Sequence, residues 1–236
     1  MLIIGGVSKV EGELIDLSGK NDLCKSKQPF ERWAAVGGVL NNSIIICGGK
    51  SNIGGRHQNC TLLDDSDKPF EIKMQEKRYG AASVVINDSS IWIVGGNNGE
   101  NDLNSSEVIS LHDNKGKSTK GFQFPFTITF HCMIQYAANS VFIIGGSQNG
   151  ETSINTWIVR FLNDEIVQIK KGPELNHKRK LMSCSKMQDD SGNTKLIVAG
   201  GKDDTTTLDS VEILALGKNW IIGEKLLINA IFVLKT

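Results

Sequence analysis

The sequence predicts an all-β fold made of repeated antiparallel units, and three features of the 236-residue chain indicate it. An apolar block ending in a glycine pair occurs five times, a second strand pattern precedes each of the last four blocks, and helical periodicity is nowhere sustained. The blocks are 2–6, 44–49, 91–96, 141–146 and 196–201. Their first glycines are separated by 43, 47, 50 and 55 residues, which indicates a repeat of about 50 residues.

The glycine pairs mark where each apolar strand must turn sharply or approach a neighbour closely. Strand-forming residues occupy both alternating faces of each block, which is typical of a strand that is covered on both sides. A Cβ at the end of such a strand would hinder the turn, so glycine is favoured there. We therefore expect a structural role for Gly5 and Gly6, Gly48 and Gly49, Gly95 and Gly96, Gly145 and Gly146, and Gly200 and Gly201.

Further strand patterns surround each block. The pattern 78–86 and the polar turn 87–90 precede the third block, and Asn, Asp and Ser between two strand patterns indicate a hairpin. A polar loop and a third strand such as 107–112 follow the glycine pair, and most units add a weaker fourth strand. Four antiparallel strands in about 50 residues form one blade of a β-propeller. The sequence thus predicts one propeller domain over 1–236 with five four-stranded blades, approximately 1–30 with 226–236, 31–77, 78–128, 129–178 and 179–225.

The repeats resemble kelch repeats, which are marked by an apolar strand ending in Gly-Gly, an aromatic residue in the third strand and a tryptophan before the next unit. The double glycine is present in all five units, and Trp220 stands at the expected place in the last one. Phe70 stands for the tryptophan in the second unit, while Leu or Ile replaces the third-strand tyrosine in most units. The resemblance covers essentially the whole chain and implies a kelch-like or galactose-oxidase-type propeller.

The sequence leaves the closure of the ring open. The segment 226–234 has the pattern of a first strand, and its pairing with the N-terminal strands would close a five-bladed ring and remove exposed edges. The alternative is a fragment of a six- or seven-bladed propeller, since kelch-type rings more often have those numbers.

Composition excludes some classes of protein. The 26 basic and 26 acidic residues balance, so the basic excess of a nucleic-acid binder is absent. No apolar run approaches the roughly 18 residues that cross a bilayer. The segment after Met1 lacks the basic start and long apolar stretch of a signal peptide. We expect no nucleic acid and no membrane, favour a cytoplasmic location, and leave the oligomeric state open.

The five cysteines, Cys24, Cys47, Cys60, Cys132 and Cys184, match no zinc template and form no C-x-x-C pair. One interpretation is free thiols buried in or beside strands. The other is a Cys47–Cys60 disulfide between neighbouring strands. Four N-x-S/T sequons begin at Asn41, Asn59, Asn87 and Asn104, and they matter only if the chain enters the secretory pathway.

A candidate binding surface lies at the ends of the apolar strands. In an antiparallel blade, the loop entering the first strand and the loop leaving the second emerge on the same face, so arginines from separate blades should converge. Such a cationic rim could grip carboxylates or phosphates bidentately. The alternative is that each arginine makes a structural bond to its neighbouring blade. The rim residues are Arg32, Arg56, Arg78, Asn97, Asn98, His131, Gln148, Arg179 and Lys202.

Two classes of function fit these features. The first is a non-catalytic interaction module that presents polar loops to a partner protein, as the resemblance implies for substrate-recognition subunits and actin binders. The second is a kelch-type enzyme or a carbohydrate-binding propeller with its site in the central channel. The four histidines are scattered without a local ligand pair, and nothing identifies Tyr79 or Tyr136 as a copper ligand. We therefore expect no catalytic residue, cofactor or metal, although fold alone does not choose between the classes.

Overall fold

The computed structural model describes residues 2–4, 12–14, 32–51, 53–63, 70–112, 115–162 and 165–223, with backbone alone for 2–4, 12–14 and 165. The described secondary structure consists of strands, bridges and turns. No described segment forms a helix long and apolar enough to cross a membrane. Three of the sequence predictions, concerning the Gly5–Gly6 pair, Cys24 and the segment 226–236, lie outside the described residues.

Four four-stranded antiparallel sheets, here called blades 2 to 5, follow a two-stranded sheet of β1 (Leu2–Ile4) and β2 (Gly12–Leu14). Blade 2 contains β3 (Val36–Leu40), β4 (Ser43–Cys47), β5 (Asn59–Leu63) and β6 (Phe70–Lys73). Blade 3 contains β7 (Ala82–Asn87), β8 (Ser90–Val94), β9 (Ser105–His112) and β10 (Lys115–Gln123). In each blade the strands lie side by side in chain order.

The next two blades repeat this order. A small sheet of β11 (Ile128–Thr129), β14 (Ser147–Gln148) and β15 (Glu151–Thr152) accompanies blade 4, which contains β12 (Cys132–Ala137), β13 (Ser140–Ile144), β16 (Thr156–Leu162) and β17 (Glu165–Lys171). Blade 5 contains β18 (Ser183–Gln188), β19 (Thr194–Ala199), β20 (Val211–Ala215) and β21 (Trp220–Ile222).

The apolar cores lie between consecutive blades. In β8, Ile91 and Ile93 pack into the core shared with blade 2, whereas Trp92 and Val94 pack into the core shared with blade 4. A third core joins blades 4 and 5. A strand covered on both faces needs apolar residues at successive positions, which explains the unbroken apolar blocks in the sequence.

The innermost strands contact one another in the order β3, β7, β12 and β18. A disulfide between Cys132 and Cys184, whose Cα atoms are 6.1 Å apart, joins β12 to β18 and so connects blades 4 and 5. A second disulfide joins Cys47 to Cys60, which lie directly opposite each other on β4 and β5. The disulfide interpretation of Cys47 and Cys60 is the one observed, and the free-thiol interpretation is wrong for these four cysteines.

Candidate binding face

The glycine pairs join each blade to the next one. The amide N–H of Gly49 donates to the carbonyl of Arg78 at 2.7 Å, and Gly96 and Gly146 make the corresponding bonds to Ile128 and Arg179. Both glycines of each described pair have positive φ values. A Cβ on Gly48 would lie 2.2 Å from the Arg78 carbonyl oxygen, so no side chain fits there. The second glycine thus supplies an inter-blade hydrogen bond.

A chain of backbone hydrogen bonds runs across the blades beside these glycines. Gly80 donates to the carbonyl of Ala34 at 2.9 Å, Phe130 to Gly80 at 2.7 Å, and Leu181 to Phe130 at 2.9 Å. All four residues have φ between 52° and 65°. Three of them are not glycine, and the left-handed region costs such residues of order 1–2 kcal/mol. The repeated hydrogen bond offsets this cost and fixes the start of each innermost strand.

The same end of each blade carries a short bridge of three backbone positions. Trp33 pairs with Lys50, which pairs with Arg56, while Tyr79 pairs with Asn97, which pairs with Asp102. The other two described blades have the corresponding bridges, Thr129–Ser147–Thr152 in blade 4 and Lys180–Lys202–Thr207 in blade 5. We call this end of the blades, where the bridges lie, the glycine-pair face. It brings together the residues that precede the first strand and those that follow each glycine pair.

Two of the predicted rim arginines are buried and do not form a cationic rim. Arg78 is 2% exposed and Arg179 is 0% exposed. Nε of Arg78 donates to Glu107 at 2.6 Å, and Nη2 of Arg179 donates to Glu212 at 2.8 Å. Each also donates to the first glycine carbonyl of its own blade. The rim expectation is therefore wrong for both, because each guanidinium bonds a buried glutamate and a glycine carbonyl of its own blade and does not face solvent.

Arg32 occupies the same place in blade 2 but has no carboxylate partner among the described residues. It donates to the carbonyl of Asn59 at 3.2 Å and to Oγ1 of Thr61 at 3.1 Å. Burial lowers the pKa of Arg32, and the charge of Glu71 acts in the opposite direction. Its exposure is only 9%, so the rim expectation is wrong for Arg32 as well.

His131 is not the counterpart of these arginines. Ile128 is, since its carbonyl accepts the Gly96 bond that Arg78 and Arg179 accept elsewhere. His131 lies three positions later and is buried beside Gly146. Gln148 is also buried, and its Nε2 donates to the carbonyl of Gly145 at 3.3 Å, as the arginines do to their own glycines. Neither residue presents an exposed polar group on a rim.

The remaining predicted residues do lie on the glycine-pair face. Oδ1 of Asn97 accepts from the N–H of Gly99, and Oδ1 of Asn98 accepts from Glu100 and Asn101, so both side chains hold their loop. Lys202 is half-buried in its bridge. Arg56 is half-buried too, with its guanidinium carbon 5.7 Å from the ring centroid of Tyr79.

An aromatic–cationic cluster, formed by Trp33, Lys50, Arg56, Tyr79 and Phe130, is the feature that the sequence analysis missed. The rings of Trp33 and Tyr79 meet edge to face at 5.8 Å, and those of Tyr79 and Phe130 at 6.0 Å. Nζ of Lys50 lies 5.1 Å from the Trp33 ring and 5.9 Å from the Tyr79 ring. These distances suit cation–π attraction. The cluster spans blades 2 to 4.

A signal for this cluster was present in the sequence. Trp33 and Tyr79 each follow the arginine that precedes a first strand, and Lys50 directly follows a glycine pair. The bridges bring these two kinds of position together, so their side chains meet whenever both are large.

Blade 5 presents a different charge pattern on the same face. Lys178 and Lys180 both pair with Asp204, which also accepts from Oγ1 of Thr152 at 2.6 Å. The hydrogen bond and charge of Lys178 lower the pKa of Asp204. Backbone N–H groups of Thr206 and Thr205 lower the pKa of Asp203 to about 2. Asp204 thus offsets part of the lysine charge beside it. No three His, Cys, Asp or Glu of the described ranges form a group able to hold a metal.

No protein-family model and no curated protein matches the sequence. The fold, by contrast, is similar to solved structures. The structure of YjhT matches it with a TM-score of 0.76 at 11% identity, over 94% of this chain and 80% of that one. The chain is a β-propeller. The predicted all-β propeller with five units is confirmed, with all four strands described in four units and two strands in the first. At 11% identity the likeness concerns the fold alone.

Proposed function

We propose that this propeller is a non-catalytic interaction module that binds an acidic segment of a partner protein on its glycine-pair face. The aromatic–cationic cluster carries the proposal. Lys50 and Arg56 approach aromatic rings, and neither forms an ion pair with a carboxylate in the described part of the chain. Lys178 and Lys180, which precede blade 5, differ, since both pair with Asp204.

Two uncompensated cations on an apolar platform favour an anionic ligand. The aromatic rings limit the positions of both side chains, so less conformational entropy is lost when a carboxylate binds. Partial burial also strengthens the attraction compared with two cations in free solution. A segment with two carboxylates could contact both groups at once, and it would release the water bound at the half-buried platform.

The adjacent loop supports a protein partner over a small anion. Beside Lys50, the N–H of Ser51 donates to the carbonyl of Gly55, and the Ser51 carbonyl accepts from the N–H of Gly54. Ile53 stands at the tip and is 91% exposed. An exposed apolar residue beside a cationic patch gives a polypeptide two kinds of contact, and recognition commonly resides in loops.

The kelch assignment is part of the same proposal. The four described glycine pairs share positive φ values. Trp220 is buried, and its Nε1 donates to the carbonyl of Pro173 at 3.0 Å. This contact ties the outer strand of blade 5 to the segment that leaves blade 4, as a repeat-marking tryptophan should. It supports a kelch-type propeller in a chain whose third-strand aromatic residues have diverged.

The test is selection of peptides from a random displayed library on the full-length protein. We expect the selected peptides to contain two or more Asp or Glu residues. Their binding to the double variant Lys50→Ala/Arg56→Ala should be at least about 10-fold weaker by fluorescence anisotropy, because each charge-assisted contact contributes roughly 1.5–3 kcal/mol. Raising the salt concentration should weaken binding to the unmodified chain.

The matched control removes two cations elsewhere. Lys117 and Lys120 are exposed on the outer strand β10, so Lys117→Ala/Lys120→Ala should leave the affinity unchanged. Selected peptides without acidic residues, or equal binding by both double variants, would contradict the proposal. A carbohydrate-binding or catalytic propeller with a site in the central channel predicts ligand binding that does not depend on Lys50 and Arg56.

A further inference from the structure

We propose that Asn41 is an N-glycosylation site and that the folded chain belongs to an oxidising compartment. The four sequons make several acceptors possible by sequence, but the fold separates them. Asn41 is exposed, in the two-residue turn between β3 and β4. Its side chain makes no hydrogen bond to any residue in the described ranges. An acceptor amide must face solvent in the folded product, and Asn41 meets this condition.

The turn geometry suits asparagine and presents its side chain outward. Asn41 and Asn42 have φ values of 47° and 64°, as in the hairpin turns that require two left-handed residues. The backbone N–H of Asn41 donates to the carbonyl of Asp88 in blade 3 at 2.8 Å. The main chain is therefore anchored while the side chain is available for modification. Asn and Asp are the residues that tolerate this region best after glycine.

At two other sequons the asparagine side chain already makes a hydrogen bond within the fold. Oδ1 of Asn59 accepts from Nη2 of Arg32 at 3.3 Å, and the next residue, Cys60, forms the buried disulfide with Cys47. In Asn104 the nitrogen that would carry the sugar donates to the carbonyl of Phe124 at 3.0 Å. A glycan at either position would displace contacts that hold a strand to its neighbours.

The sequon at Asn87 is constrained by its own turn. Its Oδ1 accepts from both the N–H and the hydroxyl of Ser89, at 3.0 and 3.1 Å. The hydroxyl that defines the sequon is thus tied back onto the acceptor residue. Asn87 is also only half exposed, at the end of β7.

The two disulfides supply the independent observation on compartment. Disulfides persist where the environment is oxidising and are rare where glutathione keeps thiols reduced. One pair joins directly opposed residues of blade 2 and the other joins two blades, so both depend on the folded structure. In a eukaryotic cell, the secretory pathway is the oxidising environment that a chain enters first, and N-x-S/T sequons are glycosylated there. This evidence weighs against the cytoplasmic location favoured by the sequence.

A glycan at Asn41 leaves the proposed binding face free. Asn41 precedes β4, whereas the Gly48–Gly49 pair follows it, so the two lie at opposite ends of the strand. The sugar would therefore cover the opposite face of blade 2. Binding through Lys50 and Arg56 should be the same with and without it.

The test is secretion of the full-length chain from a eukaryotic cell behind a cleavable leader, followed by enzymatic release of N-glycans. We expect a single step in gel mobility, with aspartate at position 41 in the released peptide by mass spectrometry. Asn41→Asp should remove the step without straining the turn. Ser43→Ala should remove it too while keeping Asn41, and the neighbouring Asn42→Asp should retain it.

Thiol labelling of the same secreted protein tests the second part. We expect Cys47, Cys60, Cys132 and Cys184 to be protected until a reductant is added. A secreted, folded chain without glycan, a mobility step that survives Ser43→Ala, or a glycan mapped to Asn59 or Asn104 would overturn the site assignment. Free thiols at these four positions, in a chain that has passed through an oxidising compartment, would overturn the disulfides on which the compartment assignment rests.

Discussion

Blades 3 and 5 hold the segment that enters them with a buried ion pair, whereas blade 4 holds it with aromatic rings. In blade 3, Glu107 accepts from Nε of Arg78 and from the backbone N–H of Gln75 at 2.8 Å. In blade 5, Glu212 accepts from Arg179 and from the backbone N–H of Asn176 at 2.7 Å. Each carboxylate thus fixes both the arginine and the connecting segment before it.

Blade 4 has replaced both members of the pair. Trp157 stands opposite Ile143, as Glu107 stands opposite Ile93, and Ile128 stands where the arginine would be. Phe126, on the connecting segment, stacks on Trp157 with ring centroids 4.7 Å apart. Gln148 takes over the glycine carbonyl that the arginine would bond.

This difference teaches that the segment entering each blade is fixed by a side-chain contact in every case. The contact can be an ion pair or an aromatic stack, provided that both partners change together. Replacing the glutamate alone would bury an unpaired arginine, which typically costs 3–5 kcal/mol. Replacing both by apolar groups is often neutral. Blade 4 has apolar residues in place of both the arginine and the glutamate. The Gly145 carbonyl, which would otherwise accept from the arginine, accepts from Gln148.

Breaking the buried ion pairs of blades 3 and 5 should have the largest effect on stability. Glu212→Gln should lower the free energy of unfolding by about 4 kcal/mol, because Arg179 stays buried without a counter-charge. Glu107→Gln should lower it by less, because Glu76 still pairs with Arg78 at 3.1 Å. Chemical denaturation would measure this. The double variant Arg78→Met/Glu107→Leu should recover most of the loss.

The exposed pair of Lys171 and Glu174 provides the control for this experiment. Its side chains are 52% and 45% exposed, so Glu174→Gln should change the free energy of unfolding by under about 1 kcal/mol. If Glu107→Gln were as mild as Glu174→Gln, the buried pair would not be holding the connection. Loss of stability in Arg78→Ala is likewise expected, in contrast to the rim hypothesis.

Removing the stacking of Phe126 on Trp157 should have a smaller effect on stability, and one that does not depend on charge. Phe126 is 8% exposed, and Phe126→Ala should lower the free energy of unfolding by about 3 kcal/mol through lost burial and packing. Since no charge is involved, the loss should be the same at low and high salt. Thermal unfolding at two salt concentrations measures both quantities.

Phe122 lies four residues earlier, at the end of the outer strand β10, and is 39% exposed. Phe122→Ala should therefore cost clearly less than Phe126→Ala. Equal losses for the two variants would show that stacking on Trp157 does not hold the segment.

The repeated strands were predictable from the sequence because their signal is local. The apolar blocks of blades 3 and 4 are buried on both faces, so successive residues report burial without reference to any partner. The glycine pairs were equally readable, since a Cβ at Gly48 or Gly95 would collide with a backbone carbonyl of the next blade. Five copies of one pattern made the architecture clear.

The candidate site could not be predicted as well because it depends on pairing between distant residues. An arginine before a strand looks the same in sequence whether it faces solvent or a glutamate 29 residues later, as Arg78 does. The alignment of His131 with the arginines was wrong by three positions, since Ile128 replaces the arginine that marks this position in the other described blades. The aromatic–cationic cluster required knowledge of which bridge positions face each other.

Blade 2 offers the smallest and most discriminating test of the comparison. Arg32 has the position of Arg78 but bonds to the neutral groups of Asn59 and Thr61. Bonds to uncharged acceptors are weaker than those to a carboxylate, and burial already lowers the pKa of this arginine. Arg32→Met should therefore lower the free energy of unfolding by about 1 kcal/mol, measured by chemical denaturation.

Introducing a carboxylate with Thr61→Glu should recreate the buried ion pair of blades 3 and 5 and raise the effect of Arg32→Met well above that value. If the effect of Arg32→Met stays the same in the Thr61→Glu background, the glutamate is not what makes the arginine of blades 3 and 5 indispensable.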